Sequence, residues 1–194
     1  MQKKIKRAFD ISISLIGLII LLPLMIIIYF LIKIETKGNG FFLQDRLGEN
    51  GKVFKIFKFR TMVQNAEKIG SGIYTNETDS RITKVGNFLR KTSLDELPQL
   101  INVLKGDMSI VGPRPPVTYH PYKFEDYPSE KKRRFDVKPG ITGLAQVTGR
   151  NSLSWDERIE IDIKYVENMS FYYDLKIILM TVLSVLKKES IYRG

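Results

Sequence analysis

Two adjacent carboxylates, Asp95 and Glu96, are the side chains of this sequence best suited to catalysis. The chain around them is strongly basic, with 31 Lys and Arg residues against 21 Asp and Glu and a formal net charge of +10. Apolar residues recur after the pair with helical spacing, at Leu97, Leu100 and Leu104, which predicts a helix that begins near the carboxylates. The unpaired N–H groups and the positive dipole end of such a helix favour anions. This arrangement suits a carboxylate nucleophile that attacks a phosphorus atom.

The same residues also allow a purely structural interpretation. Ser93 precedes Glu96 by three positions, the spacing of a capping box in which each side chain binds the other residue's backbone N–H group. Pro98 fits this poorly, because a helix that begins at Ser93 would contain a proline beyond its first turn. A later start, with Asp95 as the cap, leaves Pro98 where a missing N–H group costs little. Capping is the commoner meaning of such a pattern, so other parts of the chain have to decide.

The composition narrows the chemistry that the chain could perform. Its 194 residues suit one domain with room for a core. The positive charge indicates an anionic partner, such as nucleic acid, an acidic membrane surface or a phosphorylated substrate. Cysteine is absent, which excludes disulfides and thiolate metal sites, and the single histidine, His120, is interpreted as structural. Any catalysis must therefore use carboxylates and cations.

Residues 1–36 predict a segment inserted in a membrane. A basic start is followed by a run between Asp10 and Lys33 that contains no charged residue and is long enough to cross a bilayer. Pro23 stands near the middle of this run and should kink or break a helix there. Lys and Arg residues flank the run on both sides, so both flanks favour the cytoplasm. We expect a re-entrant helix-break-helix segment, and a single spanning helix with a tolerated proline is the alternative.

Cationic side chains stand out at one strand-like segment beyond this region. Residues 53–60 alternate apolar side chains with Lys55, Lys58 and Arg60, which predicts a strand or hairpin within 41–62 that has one cationic face. Contact with solvent is the usual role of such a face. Contact with a phosphate is the functional alternative.

A stiff loop follows the short strand that is predicted at 108–111. Pro113 and Pro115 flank Arg114 and restrict the backbone, so the guanidinium group is presented with little loss of entropy. An ordinary turn is the alternative interpretation. An arginine held in this way is unusual for a mere linker.

The rest of the chain is predicted to be mostly helical. We expect a charged, solvated helix at 125–134 and a short strand at 144–147, followed by a turn that would bring Arg150 near an anion. Amphipathic helices are predicted at 155–168 and at 175–186. The second is too short to span a membrane and suits either the headgroup region or the protein core.

Together these motifs resemble those of the bacterial sugar transferase family, the small monotopic phosphoglycosyl transferases. The similarity runs over nearly the whole chain in the family's order, and the chain resembles the minimal catalytic unit without the extra membrane region of larger members. The matching stretches are the basic and apolar start and residues 54–62, 93–99, 102–109, 112–115, 139–143, 146–151 and 174–176.

The resemblance implies an α+β fold that is mostly helical and monotopic. It would have the re-entrant segment at 1–36 and one catalytic domain at 37–194, with a small β-hairpin or sheet and interfacial amphipathic helices. The implied reaction moves a sugar-1-phosphate from a UDP-sugar to a polyprenyl phosphate, such as undecaprenyl phosphate, at the cytoplasmic face of the bacterial inner membrane. UMP would be released in this first membrane step of surface-glycan synthesis. Membrane lipid is a further expected partner, nucleic acid is not, and a homodimer is an open alternative.

The resemblance also implies roles for individual residues. Asp95 would attack the sugar-bearing phosphate and form a covalent phosphosugar intermediate, and Glu96 would hold Mg²⁺. The family often has Ser-Pro where this chain has Leu22-Pro23, so the membrane break would depend on the proline without a serine hydroxyl to bind a freed carbonyl group. The other motif residues expected to bind substrate are Lys58, Arg90, Pro113, Arg114, Pro115, Gln146, Arg150 and Asp174, although the role of the last is left open.

A protein of another class remains as the alternative. A membrane-anchored basic module could bind nucleic acid or acidic lipid without any catalysis. It predicts exposed aromatic residues among the basic ones and does not require an acidic pair at the start of a helix. Loss of all function on removal of Asp95 would separate this alternative from an enzyme.

Overall fold

The first element of the fold is one long apolar helix. The computed structural model describes residues 2–66, 79–149 and 153–186, and helix α1 occupies Gln2–Glu35 and continues through Pro23. The predicted break into two helices is therefore not observed. A proline removes one i→i−4 hydrogen bond and bends a helix, while the bonds on either side continue it. By length and composition, α1 could cross a membrane.

Both ends of α1 bind the same folded domain. Near its start, Lys6 Nζ donates a hydrogen bond to Asp174 Oδ2 at 2.6 Å. At its end, the Glu35 carboxylate accepts the backbone N–H groups of Lys84 and Val85 at 2.7 and 3.0 Å. The helix is thus fixed to the remainder of the chain at two points that are 29 residues apart in sequence, roughly 43 Å along a straight helix.

A β-hairpin follows, as the alternation of residues predicts. Strand β1 at Phe41–Leu47 pairs antiparallel with β2 at Val53–Phe59, and the two strands are joined by a 3₁₀ turn at Glu49–Gly51. The apolar side of the hairpin packs on the C-terminal half of α1. The buried members of this core are Met25, Ile28, Ile32, Phe59 and Leu89.

Two short helices stand beside the hairpin and bracket the carboxylate pair. Helix α2 occupies Lys84–Thr92 and helix α3 occupies Gln99–Lys105. The side chain of Asn102 is fully buried and ties α3 to β2: its Nδ2 donates to the carbonyl oxygen of Lys55 at 2.8 Å and its Oδ1 accepts the N–H of Phe57 at 2.9 Å. This amide fixes the distance between the strand that carries Lys58 and the turn before α3.

A second, two-stranded sheet is parallel. Strand β3 at Ser109–Val111 pairs with β4 at Gly140–Thr142. The prediction of a strand at 144–147 is wrong, because Leu144–Thr148 forms helix α5. The pairing between β3 and β4 ends with Val111 opposite Thr142. Beyond that point, the backbone turns and satisfies itself in a helix, with the N–H of Gln146 bound to the carbonyl oxygen of Gly143.

The C-terminal part of the described chain is helical. The solvated helix predicted at 125–134 is shorter, because α4 occupies only Ser129–Lys132 and a 3₁₀ turn follows at Arg133–Phe135. Helix α6 at Trp155–Glu167 begins with a capping box, and helix α7 at Phe171–Leu186 starts four residues earlier than predicted. Both predicted helices are thus present, with shifted ends.

Helices α1 and α7 expose apolar side chains that a soluble surface would not favour. The rings of Phe9 and Phe171 meet edge to face with their centroids 5.2 Å apart, so the two helices adjoin at their starts. Large exposed apolar surfaces of this kind mark contact with a membrane or a partner. The exposed residues include Ile16, Ile19, Ile20, Leu22, Ile26, Ile27 and Phe30 of α1 and Phe171, Tyr172, Leu175, Leu179, Val182 and Leu183 of α7.

Candidate active site

The carboxylate pair lies in a single 3₁₀ turn at Leu94–Glu96, between α2 and α3. Ser93 adopts the left-handed conformation (φ 57°, ψ 15°) and caps the C-terminus of α2 through its backbone N–H group. Its side chain makes no capping bond to the turn, so the capping box considered for Ser93 and Glu96 does not form. The two carboxylates precede α3, as predicted, and the Glu96 side chain is not used in a capping box with Ser93.

Glu96 is held by two cations. Lys58 Nζ donates to Glu96 Oε1 at 2.7 Å and Arg114 Nη2 donates to the same oxygen at 3.2 Å. Burial by itself would raise the pKa of Glu96. The attraction of Lys58 and Arg114 outweighs burial and holds the pKa at about 2. Glu96 is therefore a fixed negative charge at any physiological pH.

Asp95 behaves in the opposite way. Burial, with a smaller contribution from the neighbouring charge of Glu96, raises its pKa from 3.8 to about 6 against the opposing attraction of Lys58. Arg90 and Arg114 also lower this pKa, to a smaller extent. Asp95 is thus ionised at neutral pH but more basic than an ordinary aspartate. A carboxylate of this kind is a better nucleophile than its partner.

The loop after β3 presents Arg114 to this pair. The N–H of Gly112 donates to the carbonyl oxygen of Thr142 at 2.9 Å, and the carbonyl oxygen of Pro113 accepts the N–H of Gly140 at 3.0 Å. The two backbones approach so closely here that a Cβ on Gly112 would collide with the backbone of Lys138. The position of Arg114 is therefore set by the pairing of β3 with β4.

A cavity of about 1020 Å³ surrounds these side chains. Its wall includes Asp95 and Glu96, the basic residues around them, and side chains of the two helices with exposed apolar surfaces. Ile13, Gly17 and Leu21 of α1 and Thr181, Ser184 and Val185 of α7 contribute to it. The site thus joins a cluster of cations to the part of the fold that is suited to lipid.

Most of the predicted site residues meet in this cavity. Lys58, Arg90, Asp95, Glu96, Arg114 and Gln146 line it. Gln146 donates from Nε2 to the carbonyl oxygen of Ile141 at 2.9 Å, and its Oε1 is buried without a hydrogen-bond partner among the described residues. Arg90 is steadied by Thr61, whose hydroxyl oxygen accepts from Arg90 Nε at 2.9 Å.

Other predicted site residues lie elsewhere. Asp174 is buried outside the cavity wall, where it accepts hydrogen bonds from Lys6 Nζ and from Tyr165 Oη at 2.6 and 2.7 Å. Pro113 and Pro115 shape the Arg114 loop without lining the cavity. Arg150 lies outside the described residues.

Sequence reasoning missed a group of side chains in the cavity wall. Arg134 belongs to a run of charged residues that predicts contact with solvent, yet it is 2% exposed and its Nη2 binds Asp162 Oδ2 at 2.6 Å. His120, Trp155 and Arg158 also line the cavity. No local pattern distinguishes these residues from surface ones, because their position depends on how α6 packs beside the Arg114 loop.

The site offers few carboxylate ligands for a magnesium ion. The described residues contain no group of three or more His, Cys, Asp or Glu side chains that could enclose a metal. Magnesium often uses only one or two protein carboxylates and completes its shell with water and substrate phosphates. Lys58 and Arg114 both bind Oε1 of Glu96, which leaves its Oε2 as the oxygen that would hold such an ion.

Fold and site together define a mixed helix-and-sheet protein with an apolar N-terminal helix and a basic cavity built around an Asp–Glu pair. Residues 1–188 match the family described as bacterial sugar transferase, and the chain belongs to that family.

Named relatives agree with this assignment. The chain is similar to the uncharacterized sugar transferase EpsL of Bacillus subtilis, with 43% identity over 188 residues that cover 96% of this chain and 90% of EpsL. It is 45% identical to the galactosyl transferase CpsE of Streptococcus agalactiae, covering 93% of this chain but 42% of CpsE. It is 41% identical to the undecaprenyl-phosphate galactose phosphotransferase of Salmonella typhimurium, covering 97% of this chain and 42% of that protein. The chain therefore spans less than half the length of the last two.

Proposed function

We propose that this chain transfers a sugar-1-phosphate from a UDP-sugar to a membrane polyprenyl phosphate. The name of the Salmonella relative supports the acceptor class and the type of reaction. The observation that carries the proposal is a pair of carboxylates whose pKa values are shifted in opposite directions, set among cations in a cavity that α1 also lines. A module that only binds anions would gain nothing from a buried acidic pair, since the pair repels its ligand.

The proposed reaction has two displacement steps at one phosphorus atom. An Asp95 carboxylate oxygen attacks the sugar-bearing phosphorus of the donor, and the bond from that phosphorus to the bridging oxygen breaks. The bridging oxygen keeps the electron pair and leaves with UMP. A phosphate oxygen of the polyprenyl acceptor then attacks the phosphosugar on Asp95, which returns as a free carboxylate, and a polyprenyl diphosphosugar is formed.

The cations around Asp95 supply the electrostatic part of this mechanism. Lys58, Arg90 and Arg114 line the cavity beside Asp95, where they would neutralise phosphate oxygens as negative charge develops on them. Glu96 keeps Lys58 and Arg114 in position through the two bonds to its Oε1. A magnesium ion held by Glu96 and the substrate phosphates would add charge neutralisation of the diphosphate.

We propose further that α1 enters the membrane without crossing it. Both of its ends bind the same domain, through Lys6 and through Glu35. A helix that crossed the bilayer would carry Lys6 and Arg7 to the side opposite Glu35, away from the partners that they bind here. The UDP-sugar is made in the cytoplasm, so the domain belongs on that face.

The absence of cysteine permits a direct test of this topology. A cysteine placed at position 2 should remain protected from an impermeant thiol reagent in intact cells and become labelled after lysis. The matched control is a cysteine in place of Asp45, which is exposed on the domain. Labelling at position 2 from outside, with the control protected, would mean that α1 spans the membrane.

The covalent step is tested by intact-mass analysis of the whole chain in lipid nanodiscs. With donor alone, the protein should gain the mass of one phosphosugar, and Asp95→Asn should gain nothing. Asp45→Asn is the control, because this aspartate pairs with Lys55 outside the cavity and should still form the adduct. No adduct in the native chain, together with kinetics that require both substrates at once, would exclude the covalent route.

A further inference from the structure

Arg134 is a buried cation with hydrogen-bonding capacity left over. Its Nη2 donates to Asp162 Oδ2 at 2.6 Å and to the carbonyl oxygen of Arg114 at 2.9 Å. Its Nε and Nη1 are buried and make no hydrogen bond of ordinary geometry to the described residues, and the buried Tyr127 hydroxyl lies close enough to interact with the Arg134 side chain. Unpaired donors on a buried guanidinium group are costly and call for an explanation. Because Arg134 lines the cavity, a ligand there would be within its reach.

Three side chains with planar groups line the same cavity as Arg134. The rings of His120 and Trp155 meet edge to face with centroids 5.4 Å apart. The guanidinium group of Arg158 lies over the Trp155 ring, 5.5 Å from its centroid. Aromatic rings and guanidinium planes are the groups on which proteins stack nucleobases. We call His120, Trp155 and Arg158 the planar wall.

Arg114 connects this region to the carboxylate pair. Its backbone carbonyl oxygen holds Arg134, while its side chain binds Glu96. A ligand that contacts both regions therefore needs an anionic part beside Arg114 and a planar, hydrogen-bonding part beside Arg134. A nucleoside diphosphate has these two parts, joined by a ribose.

We propose that Arg134 and the planar wall form the base subsite for the donor nucleotide, and that they select a pyrimidine with ring carbonyl groups, such as uracil. This inference rests on the proposed transfer function. Arg134 offers only donors, so it fits a base that presents acceptors. Uracil presents two carbonyl oxygens on its ring, whereas adenine presents ring nitrogens beside an amino donor, for which Arg134 offers no acceptor. The wall supplies stacking, and Arg134 supplies the distinction between bases.

The first experiment removes the aromatic ring of the wall. Dissociation constants are measured by calorimetry on the full chain in nanodiscs, with UMP, AMP and inorganic pyrophosphate as probes. Trp155→Leu should weaken UMP binding by about tenfold, within the range that loss of a stacking ring produces, and should leave pyrophosphate binding unchanged. Phe88→Leu is the control, since Phe88 is an exposed ring outside the cavity and should alter neither constant. An unchanged UMP constant, or equal weakening of UMP and pyrophosphate, would overturn the subsite.

The second experiment addresses the choice of base. The native chain should bind UMP at least tenfold more tightly than AMP, and Arg134→Lys should reduce this ratio while keeping a positive charge beside Asp162. Thermal unfolding establishes that the variant is folded. If it is not, the UMP-to-AMP ratio of the native chain decides, and equal affinities would refute the assignment. A failure of the proposed transfer function can be told apart, because the native chain would then form no phosphosugar adduct. If the adduct forms but Trp155→Leu leaves the dissociation constant of UMP unchanged, only the base subsite is refuted.

Discussion

Removal of Lys58 should move the pH range in which the enzyme works. Lys58 Nζ lies 2.7 Å from Glu96 Oε1, and its charge is the strongest of the attractions that lower the pKa of Asp95. Asp95 must be ionised to attack, so activity is lost as the pH falls through its pKa of about 6. Lys58→Met keeps the apolar stem and removes the charge. The pKa of Asp95 should then rise, and activity should be lost at a higher pH.

The size of the shift follows from the usual effect of one nearby charge. An opposite charge within about 4–6 Å lowers a carboxyl pKa by about one to three units. We expect about one unit here, because Arg90 and Arg114 remain beside Asp95. At pH 6, the ionised fraction of Asp95 would fall from about one half to about one tenth. The absolute rate should also drop, since Lys58 would no longer contact phosphate.

The assay separates these two effects. Release of UMP from donor alone is followed in single turnovers between pH 5 and 9, and the midpoint of the acid limb is compared rather than the maximal rate. Lys55→Met is the matched control: Lys55 lies on the same strand, pairs with Asp45 and is exposed. Its midpoint should equal that of the native chain. A Lys58→Met midpoint that coincides with the control, or that moves to lower pH, would refute this account of the Asp95 pKa.

Four further perturbations test the same framework. Asp95→Asn should stabilise the fold by about 1–2 kcal/mol at pH 7 and hardly change its stability at pH 4, as measured by denaturant unfolding at the two pH values. The reason is that the pKa of the buried Asp95 is raised to about 6, so its ionisation costs stability as the pH rises through that value. Asp174→Asn should destabilise the fold by about 3 kcal/mol in the same measurement, since it breaks the buried pair with Lys6, and an unaltered midpoint would contradict that role. Activity should require Mg²⁺ or Mn²⁺ and be lost in excess EDTA, and Glu96→Gln should weaken the metal dependence and the rate together; full activity in EDTA would exclude the metal.

The spacing of apolar residues in the sequence predicts those helices and strands whose formation depends on nearby residues. The hairpin, the strand that contains Ile110 and the amphipathic helices were predicted because each carries its own apolar spacing or turn residues. The strand predicted at 144–147 failed for a tertiary reason. Its residues have strand-like composition, but β4 loses its partner after Thr142, and a four-residue segment without a neighbour cannot remain a strand.

The residues of the candidate site also fall into two groups, those that the sequence indicates and those that it does not. Asp95, Glu96 and Arg114 are visible in the sequence, because paired carboxylates and a proline-flanked arginine are unusual in themselves. Arg134 and Trp155 are not visible, because nothing near them in sequence indicates burial. Their place in the cavity depends on the contact of α6 with the Arg114 loop, which joins parts of the chain that are far apart in sequence.

Helix α1 contributes to the scaffold of the candidate active site. Lys6 Nζ donates to the carbonyl oxygen of Val111 at 3.0 Å and also to Asp174. Tyr165 Oη donates to Asp174 and lies 3.2 Å from the same carbonyl oxygen. Val111 ends β3 and lies three residues before Arg114, whose side chain binds Glu96. The start of α1 is therefore linked through one strand end to the cation that faces the reacting carboxylates. A lipid acceptor that enters along α1 and a nucleotide donor that binds among the cations would thus meet at a site whose geometry the same helix fixes.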